Sequence, residues 1–276
     1  MADPLNQVFF PAGFQELFAA WNRCPQAVPF AGGTGIIRRQ GSQILNLPPI
    51  ILSLDKLEEL HRITRTERYL EIGAMVKLNQ IIRLGKIVPE ALSRCLGSIA
   101  GTPLRNIATI GGNICFSERR LDASAALTAL DAQYELRTAQ SSRWISASRF
   151  SSIPGPTALN PQELLTRIRI PLDQWDYTAY KKFISPESSS KAVVFIMKTQ
   201  KDVLTDIRVV YKTSTLLRDK ASETLLIGKQ LPLSRRIATD FVEQWQSFLS
   251  GIPDLPPLSR QELLNFIELN LYNLSE

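Results

Sequence analysis

Short apolar runs alternate with polar or glycine-containing turns along the first 175 residues. Brief runs rich in β-branched or aromatic side chains are typical of strands, which we expect at 27–30, 44–47, 69–74, 133–137 and 164–170. Apolar positions at helical spacing predict helices at 78–84, 89–97 and 123–130. The alternation indicates a domain in which strands and helices are mixed.

The pattern changes near residue 175. Three strands are predicted at 177–184, 192–199 and 205–211, and three helices follow them at 222–226, 234–249 and 259–271. Ser259 and Glu262 have the spacing of a capping box at the start of the last helix. Strands followed by helices favour an α+β arrangement. We therefore expect one domain over residues 1–175 and a C-terminal α+β domain over residues 176–276, with a three-stranded sheet and helices.

The composition argues against several classes of protein. The 276 residues are 44% apolar and 21% charged, which is ordinary globular usage, and no apolar run approaches the roughly 18 residues of a membrane span. The first residues lack the pattern of an export signal, so a cytoplasmic location is expected. Three cysteines cannot form a disulfide framework or an iron–sulfur cluster, and the single histidine argues against a histidine-based metal site or a Ser-His-Asp triad. No metal site is predicted.

The charge favours an anionic ligand or partner over nucleic acid. The net charge is +6, but the basic residues are dispersed and form no run of five. Acidic residues are absent from 17–54, and Glu90 is the only one in 72–117. Stretches that combine glycine with an absence of carboxylates suit a phosphate-bearing ligand. Buried apolar segments also exclude acids, so both interpretations remain open at this point.

Two glycine motifs lie inside these stretches. Ala31-Gly32-Gly33-Thr34-Gly35 follows a predicted strand, but it has neither the Rossmann spacing nor the Lys-Ser or Lys-Thr of a phosphate-binding loop. Thr109-Ile110-Gly111-Gly112-Asn113 is preceded by Arg105-Asn106 and followed by Asp122. Either motif alone is more typical of a tight turn than of a cofactor site. The pair, in this order, is more specific.

Longer stretches around the two motifs carry a family resemblance. They are Phe30 to Thr34, Ile72 to Ala74, Arg105 to Ile114, Asp122, Ala129 to Ala132, Leu164-Leu165, Ile168 to Pro171 and Tyr180 to Lys182. In these stretches the chain resembles the FAD-binding subunit of molybdenum hydroxylases, the group of xanthine dehydrogenase, aldehyde oxidase and aerobic carbon monoxide dehydrogenase. The run from Arg105 to Asn113 is the most specific.

The resemblance implies an α+β fold of the vanillyl-alcohol-oxidase or PCMH type. Two α+β subdomains within residues 1–175 would clasp FAD, and the small C-terminal domain would cover one side. The first motif would wrap the pyrophosphate with Pro29, Phe30, Ala31, Gly32, Gly33, Thr34, Gly35 and Ile36. The second would surround the pyrophosphate and ribityl chain with Thr109, Ile110, Gly111, Gly112 and Asn113.

Four further positions are implied by the same resemblance. Ile99 would lie against the flavin or its ribityl end, and Leu165 would pack on the cofactor. Asp122 would accept hydrogen bonds from FAD hydroxyls, although a simple helix N-cap is the alternative. Lys181 would stabilise negative charge on the flavin ring, although a solvated strand lysine is the alternative. Because a pyrophosphate is bound best by unobstructed N–H donors, glycine is expected at 32, 33, 111 and 112.

The implied function is electron transfer through FAD, with no catalytic side chain. An iron–sulfur subunit and a molybdopterin subunit would be the partners, and NAD or another acceptor would take the electrons. A free-standing flavin oxidoreductase and a redox-inactive nucleotide-binding assembly subunit remain alternatives. Three places depart from the family pattern: Gly35, where a polar or acidic residue is common, the segment 115–120, which includes Phe116, and the segment 187–191, which includes Ser189.

Overall fold

The computed structural model describes residues 7–40, 46–116, 121–151, 158–184 and 190–274. The chain divides into two compact units on either side of the bond between Leu172 and Asp173. The predicted departure at Ser189 lies outside the described residues.

A small parallel sheet opens the first unit. Its elements are β1 (Gln7–Phe9), α1 (Phe14–Arg23), β2 (Val28–Phe30), α2 (Thr34–Gln40) and β3 (Ile50–Ser53). The strand order is β1-β3-β2, with β3 paired in parallel to both neighbours. The strand predicted at 44–47 is wrong in its described part, because 46–47 is irregular and the strand begins at Ile50. The Pro48-Pro49 pair explains the delay, since proline cannot donate to a ladder.

A five-stranded antiparallel sheet forms the rest of the strand content of this unit. Its strands are β4 (Ile63–Arg65), β5 (Tyr69–Gly73), β6 (Gln133–Arg137), β7 (Ser142–Ser146) and β8 (Leu164–Pro171), in the order β4-β5-β8-β6-β7. Leu70, Ile72, Ile168 and Ile170 are fully buried on one face, whereas the charged residues between them point to the other. This alternation is the period that the sequence pattern predicts.

Short helices complete the described part of the first unit. They are α3 (Leu78–Ile82), α4 (Glu90–Gly97), α5 (Thr102–Arg105), α6 (Ile110–Ile114), α7 (Ala123–Ala129) and α8 (Ala147–Ser151), with 3₁₀ turns at Glu58–His61 and Gly85–Ile87. Every residue of α7 is buried, and the helix contacts α4, α6 and α8. Its small side chains permit that close approach. The predicted helices at 78–84, 89–97 and 123–130 are confirmed to within a few residues.

The second unit is an antiparallel sheet covered by three helices. It contains β9 (Tyr177–Phe183), β10 (Lys191–Gln200), β11 (Val203–Lys212), β12 (Leu216–Leu217), α9 (Lys220–Leu226), α10 (Arg235–Ser250) and α11 (Pro257–Tyr272). The strand order is β12-β11-β10-β9, so the predicted three-stranded sheet gains a fourth strand. Two residues are too short a run to show a sequence period.

The core of this unit lies between the sheet and its helices. Phe195 and Val209 pack with Phe241 and Trp245 of α10 in one buried cluster. The β10–β11 hairpin turns through Lys201 and Asp202, both with positive φ, as a tight two-residue hairpin turn requires.

The predicted capping box at Ser259 is wrong. The helix α11 begins two residues earlier, at Pro257, where a proline suits the first turn. The Ser259 hydroxyl instead accepts a hydrogen bond from Lys191 Nζ at 3.0 Å, and Glu262 forms an ion pair with the same ammonium.

None of the helices formed by the described residues has both the length and the apolar character needed to cross a membrane.

Candidate cofactor site

The two glycine motifs lie against each other. A Cβ placed on Gly32 would lie 2.2 Å from the carbonyl oxygen of Ile107, just before the second motif. Only glycine therefore permits this approach of the two backbones. The structure thus brings together two segments that are far apart in the chain.

The first motif ends β2 and begins α2. Gly33 has a φ of +67°, a backbone conformation that favours glycine, and a Cβ there would also lie 2.6 Å from Cζ of Phe30, so that ring would have to move. Pro29 pairs in register with Leu52, and the carbonyl of Phe30 accepts the N–H of Leu54 at 3.0 Å. The strand therefore holds the start of the motif firmly. Ala31 is half-buried beside it.

The first turn of α2 contains backbone N–H groups that are not bonded within the described part of the protein. The first N–H that is bonded within the helix is that of Ile37, which donates to the carbonyl of Gly33 at 3.1 Å. Among the residues that the structure describes, the N–H groups of Thr34, Gly35 and Ile36 have no protein acceptor. All three residues are half-buried. A helix start leaves such donors unpaired unless side chains, water or a ligand bind them.

The second motif is a short helix rather than an open loop. Thr109 is the N-cap of α6, and its hydroxyl accepts the N–H of Gly112 at 3.1 Å. The N–H groups of Ile110 and Gly111 donate to the carbonyls of Val76 and Ala74, at 3.0 and 2.9 Å. The expectation of free glycine amides is therefore wrong for Gly111 and Gly112.

Packing within the protein explains the glycine at position 111. A Cβ on Gly111 would lie 2.7 Å from both Cβ and the carbonyl oxygen of Ala74. The segment that follows β5 thus runs alongside the second motif, and Ala74 must be small for the same reason. The space beside Gly111 is therefore filled by protein atoms.

Asn113 has a buried acceptor that lacks a partner. The residue is 8% exposed, and within the described part of the chain Oδ1 accepts no hydrogen bond. A buried polar atom left unsatisfied costs about 1–3 kcal/mol. A ligand that brings a hydroxyl or N–H donor to Oδ1 would remove that penalty, so this residue fits a cofactor with hydroxyl groups.

Asp122 and Leu165 are both buried. Asp122 is 4% exposed and precedes α7, but its side chain makes no capping hydrogen bond, so the N-cap alternative is not supported. Leu165 is 2% exposed and pairs with Leu136 at a register shift between β6 and β8. The contacts of both residues with a cofactor stay predictions.

Lys181 belongs to the second unit and is exposed on β9, where it pairs in register with Val193. Its ammonium lies 5.4 Å from the ring centroid of Phe183, a cation–π distance. The structure therefore shows a partly solvated lysine, and its role beside the flavin stays a prediction.

Arg105 organises the loop that contains Ile99. Its Nη1 donates to the carbonyls of Gly97 and Ile99 at 3.1 and 2.9 Å and also to that of Ala100, and its Nη2 donates to Oγ1 of Thr102 at 3.1 Å. One guanidinium thus holds a loop in which Ala100 has a φ of +45°. Arg105 belongs to the run that carries the family resemblance, but no role was predicted for it. The sequence did contain a signal for this role. Arg105 lies in a stretch with almost no acidic residues, so its N–H groups are expected to donate to carbonyl oxygens instead of carboxylates.

One ion pair lies close to Leu165 in the sequence and involves the buried Glu163. Glu163 is buried and accepts hydrogen bonds from Arg143 Nε at 2.6 Å and Nη2 at 2.8 Å. Burial acts to raise the pKa of Glu163, but the hydrogen bonds from Arg143 and from the N–H of Asn160 outweigh it and hold the pKa below its usual range.

Among the described residues, no group of three or more His, Cys, Asp or Glu side chains could hold a metal ion.

Comparison with known proteins identifies the family. Residues 4–173 match the family model described as the FAD binding domain in molybdopterin dehydrogenase, and the chain belongs to this family. It is 27% identical over 227 residues to the glyceraldehyde dehydrogenase medium chain of Sulfolobus acidocaldarius, covering 81% of this chain and 79% of that one. It is 28% identical over 237 residues to aldehyde oxidase 2 of Cavia porcellus, covering 78% of this chain but only 18% of that longer protein.

Solved structures share the fold. The carbon monoxide dehydrogenase from Hydrogenophaga pseudoflava contains a chain that superposes with a TM-score of 0.82 at 21% identity, covering 100% of this chain and 98% of that one. The predicted fold class, an α+β FAD-binding fold of the PCMH type, is confirmed. FAD is the cofactor of the family.

Proposed function

We propose that this chain binds one FAD non-covalently and relays electrons through it as a subunit of a molybdenum hydroxylase. The observation that supports this most directly is the set of unpaired N–H donors at Thr34, Gly35 and Ile36, held against the second motif by the Gly32–Ile107 contact. Backbone N–H groups arranged in this way suit a pyrophosphate.

The two motifs divide the binding of FAD between them. The first, from Pro29 to Ile36, supplies backbone donors to the pyrophosphate. The second supplies side chains, because its amides are used within the protein: Oδ1 of Asn113 accepts from a hydroxyl of the cofactor, and Thr109 and Ile110 hold α6 in place. The further contacts that we propose are those of Ile99, Asp122, Leu165 and Lys181.

FAD would supply the redox chemistry, accepting electrons and passing them on. The chain would bind and orient it, and Lys181 would favour its reduced form through positive charge. Iron–sulfur centres and molybdopterin belong to partner subunits in this proposal, since three cysteines and one histidine cannot hold two clusters. NAD or another acceptor takes the electrons. The names of the family and of its relatives, which include molybdopterin dehydrogenase, aldehyde oxidase and xanthine dehydrogenase, support this assignment.

The test is a titration of the apo-chain with FAD, in which flavin fluorescence measures binding. We expect saturation at one FAD per chain and release of free FAD on denaturation. Folded protein that never takes up FAD would refute the proposal. Uptake of FMN with equal affinity would refute the role of the pyrophosphate.

A pair of variants tests the assignment of Asn113. Asn113→Leu removes a buried acceptor that has no protein partner, so the apo-protein should keep its melting temperature or gain slightly. FAD binding should weaken about fivefold to tenfold, since a hydrogen bond contributes about 1 kcal/mol. Thr128→Val is the matched control, because Thr128 is buried in α7 and its hydroxyl also lacks a partner among the described residues. Unchanged FAD affinity in Asn113→Leu would contradict the assignment.

A further inference from the structure

The first turn of α2 meets the protein at a second place. A Cβ placed on Gly35 would lie 2.7 Å from Cε2 and 2.8 Å from Cδ2 of Phe116. The aromatic ring therefore occupies the space into which a side chain at position 35 would project. Gly35 has no positive φ, so its backbone conformation alone does not require glycine.

We infer that Phe116 is a positioning residue for FAD binding: its ring, seated on Gly35, holds the N–H donors of the first turn of α2 in place. This inference rests on the proposed function. It concerns two positions, Gly35 and Phe116, that compete for the same space in the structure. Position 35 is a glycine because the bulky ring of Phe116 occupies the space that a side chain would need.

The location of Phe116 explains how its contact with Gly35 holds the first motif in place. Phe116 lies two residues after the end of α6, so the second motif carries the ring. With the Gly32–Ile107 contact, the first motif is held against the second at both ends of its turn. The N–H of Gly35 lies between the unpaired donors of Thr34 and Ile36. Displacement of Gly35 would therefore move all three donors.

Two explanations of Gly35 predict different results. If phosphate needs the space, any side chain at position 35 weakens FAD binding whatever stands at 116. If Phe116 fills the space, a side chain at 35 is harmful only while the ring is present. A double-mutant cycle separates these explanations, because it measures the coupling between the two positions.

The experiment measures the FAD dissociation constant of four full-length proteins: wild type, Gly35→Ala, Phe116→Ala and the double variant. In the wild-type background, Gly35→Ala should weaken FAD binding about tenfold, because the added methyl group overpacks the contact with the ring. In the Phe116→Ala background the same substitution should change affinity less than about twofold, within the error of additivity. Equal losses in both backgrounds would overturn the inference.

Two further measurements keep the test decisive. Phe116→Tyr retains the ring and should keep wild-type affinity, whereas Phe116→Ala should not. Circular dichroism of both apo-proteins checks that the difference does not come from unfolding. Phe116→Leu leaves only part of the space free, so Gly35→Ala should cost more affinity in the Phe116→Leu background than in the Phe116→Ala background. These two backgrounds supply the cycle if Gly35→Ala with the intact ring does not fold. Equal losses in the Phe116→Leu and Phe116→Ala backgrounds would also count against the role of the side chain at 116.

The control is Gly251→Ala in the second unit. Gly251 has a φ of −79°, and a Cβ there would meet Phe248 at an ordinary 3.5 Å. Its FAD affinity should equal that of wild type. Failure of the wild-type chain to bind FAD would refute the proposed function, whereas normal binding with an additive cycle would refute only the role of Phe116.

Discussion

Glu163 is a buried carboxylate whose hydrogen bonds make its contribution to stability depend on pH. Its pKa is held low in the folded chain by Arg143 and Asn160 against the opposing effect of burial. A carboxyl group with a lowered folded-state pKa stabilises the fold above its unfolded pKa, about 4.3 for glutamate, and loses that effect as pH falls through the lower folded value.

We therefore expect Glu163→Gln to reduce the free energy of unfolding at pH 7 by about 1 kcal/mol, a modest value because the Arg143 side chain is 45% exposed to solvent. The difference from wild type should narrow as pH falls below about 4. Urea unfolding at several pH values measures it, with Glu58→Gln as an exposed control. A difference that does not vary with pH would show that the charge of Glu163 is not its source.

The loop between α4 and α5 is an element held by one side chain. Arg105 joins three carbonyl groups and one hydroxyl, and a lysine offers a compact ammonium without the planar fork that reaches them. Arg105→Lys should increase amide hydrogen exchange in residues 97–102 while exchange in β5 and β8 stays unchanged. If Ile99 contacts FAD as proposed, the affinity for FAD should fall as well.

Arg94→Lys is the control for this prediction. Arg94 forms an ion pair with Glu90 within α4, and both side chains are about half exposed. Surface pairs of this kind contribute about 0–1 kcal/mol, so this variant should exchange like wild type. Unchanged exchange in Arg105→Lys would show that the backbone alone defines the loop.

At the scale of the whole molecule, the proposed separation of chemistry between subunits can be tested. The FAD-loaded chain by itself should pass electrons from NADH to an artificial dye and should hydroxylate neither purines nor aldehydes. The counts of three cysteines and one histidine are the reason for the second expectation. Stopped-flow absorbance with NADH measures the first, and product analysis measures the second.

Dithionite is the control for that experiment, because it reduces accessible flavin without a nicotinamide site. Reduction by dithionite but not by NADH would point to an acceptor other than NAD. Hydroxylation by the isolated chain would contradict the assignment of that chemistry to partner subunits.

Sequence periodicity predicted several of the elements that bury one face, although it missed α1, which buries Phe14, Leu17 and Trp21. The helix α10 was expected at 234–249 and spans Arg235–Ser250, because its apolar positions recur at helical spacing towards a single core. The strands β1, β4, β7 and β12 were not predicted. The strand β12 is two residues long, and β7 exposes most of its side chains at the sheet edge, so neither carries a strong alternating signal.

The sequence by itself determined the α+β class, the two acid-poor glycine motifs and, through the run from Arg105 to Asn113, the family. Only the tertiary structure decided which of the two motifs has backbone N–H groups that are not bonded within the part of the chain that the structure describes. The amide of Gly111 is used because Ala74 lies beside it, and the space at Gly35 is taken by the ring of Phe116. A glycine in a sequence indicates that a side chain is unwelcome there. What fills the space, a ligand or another part of the chain, depends on residues far away in sequence that folding brings within a few ångströms.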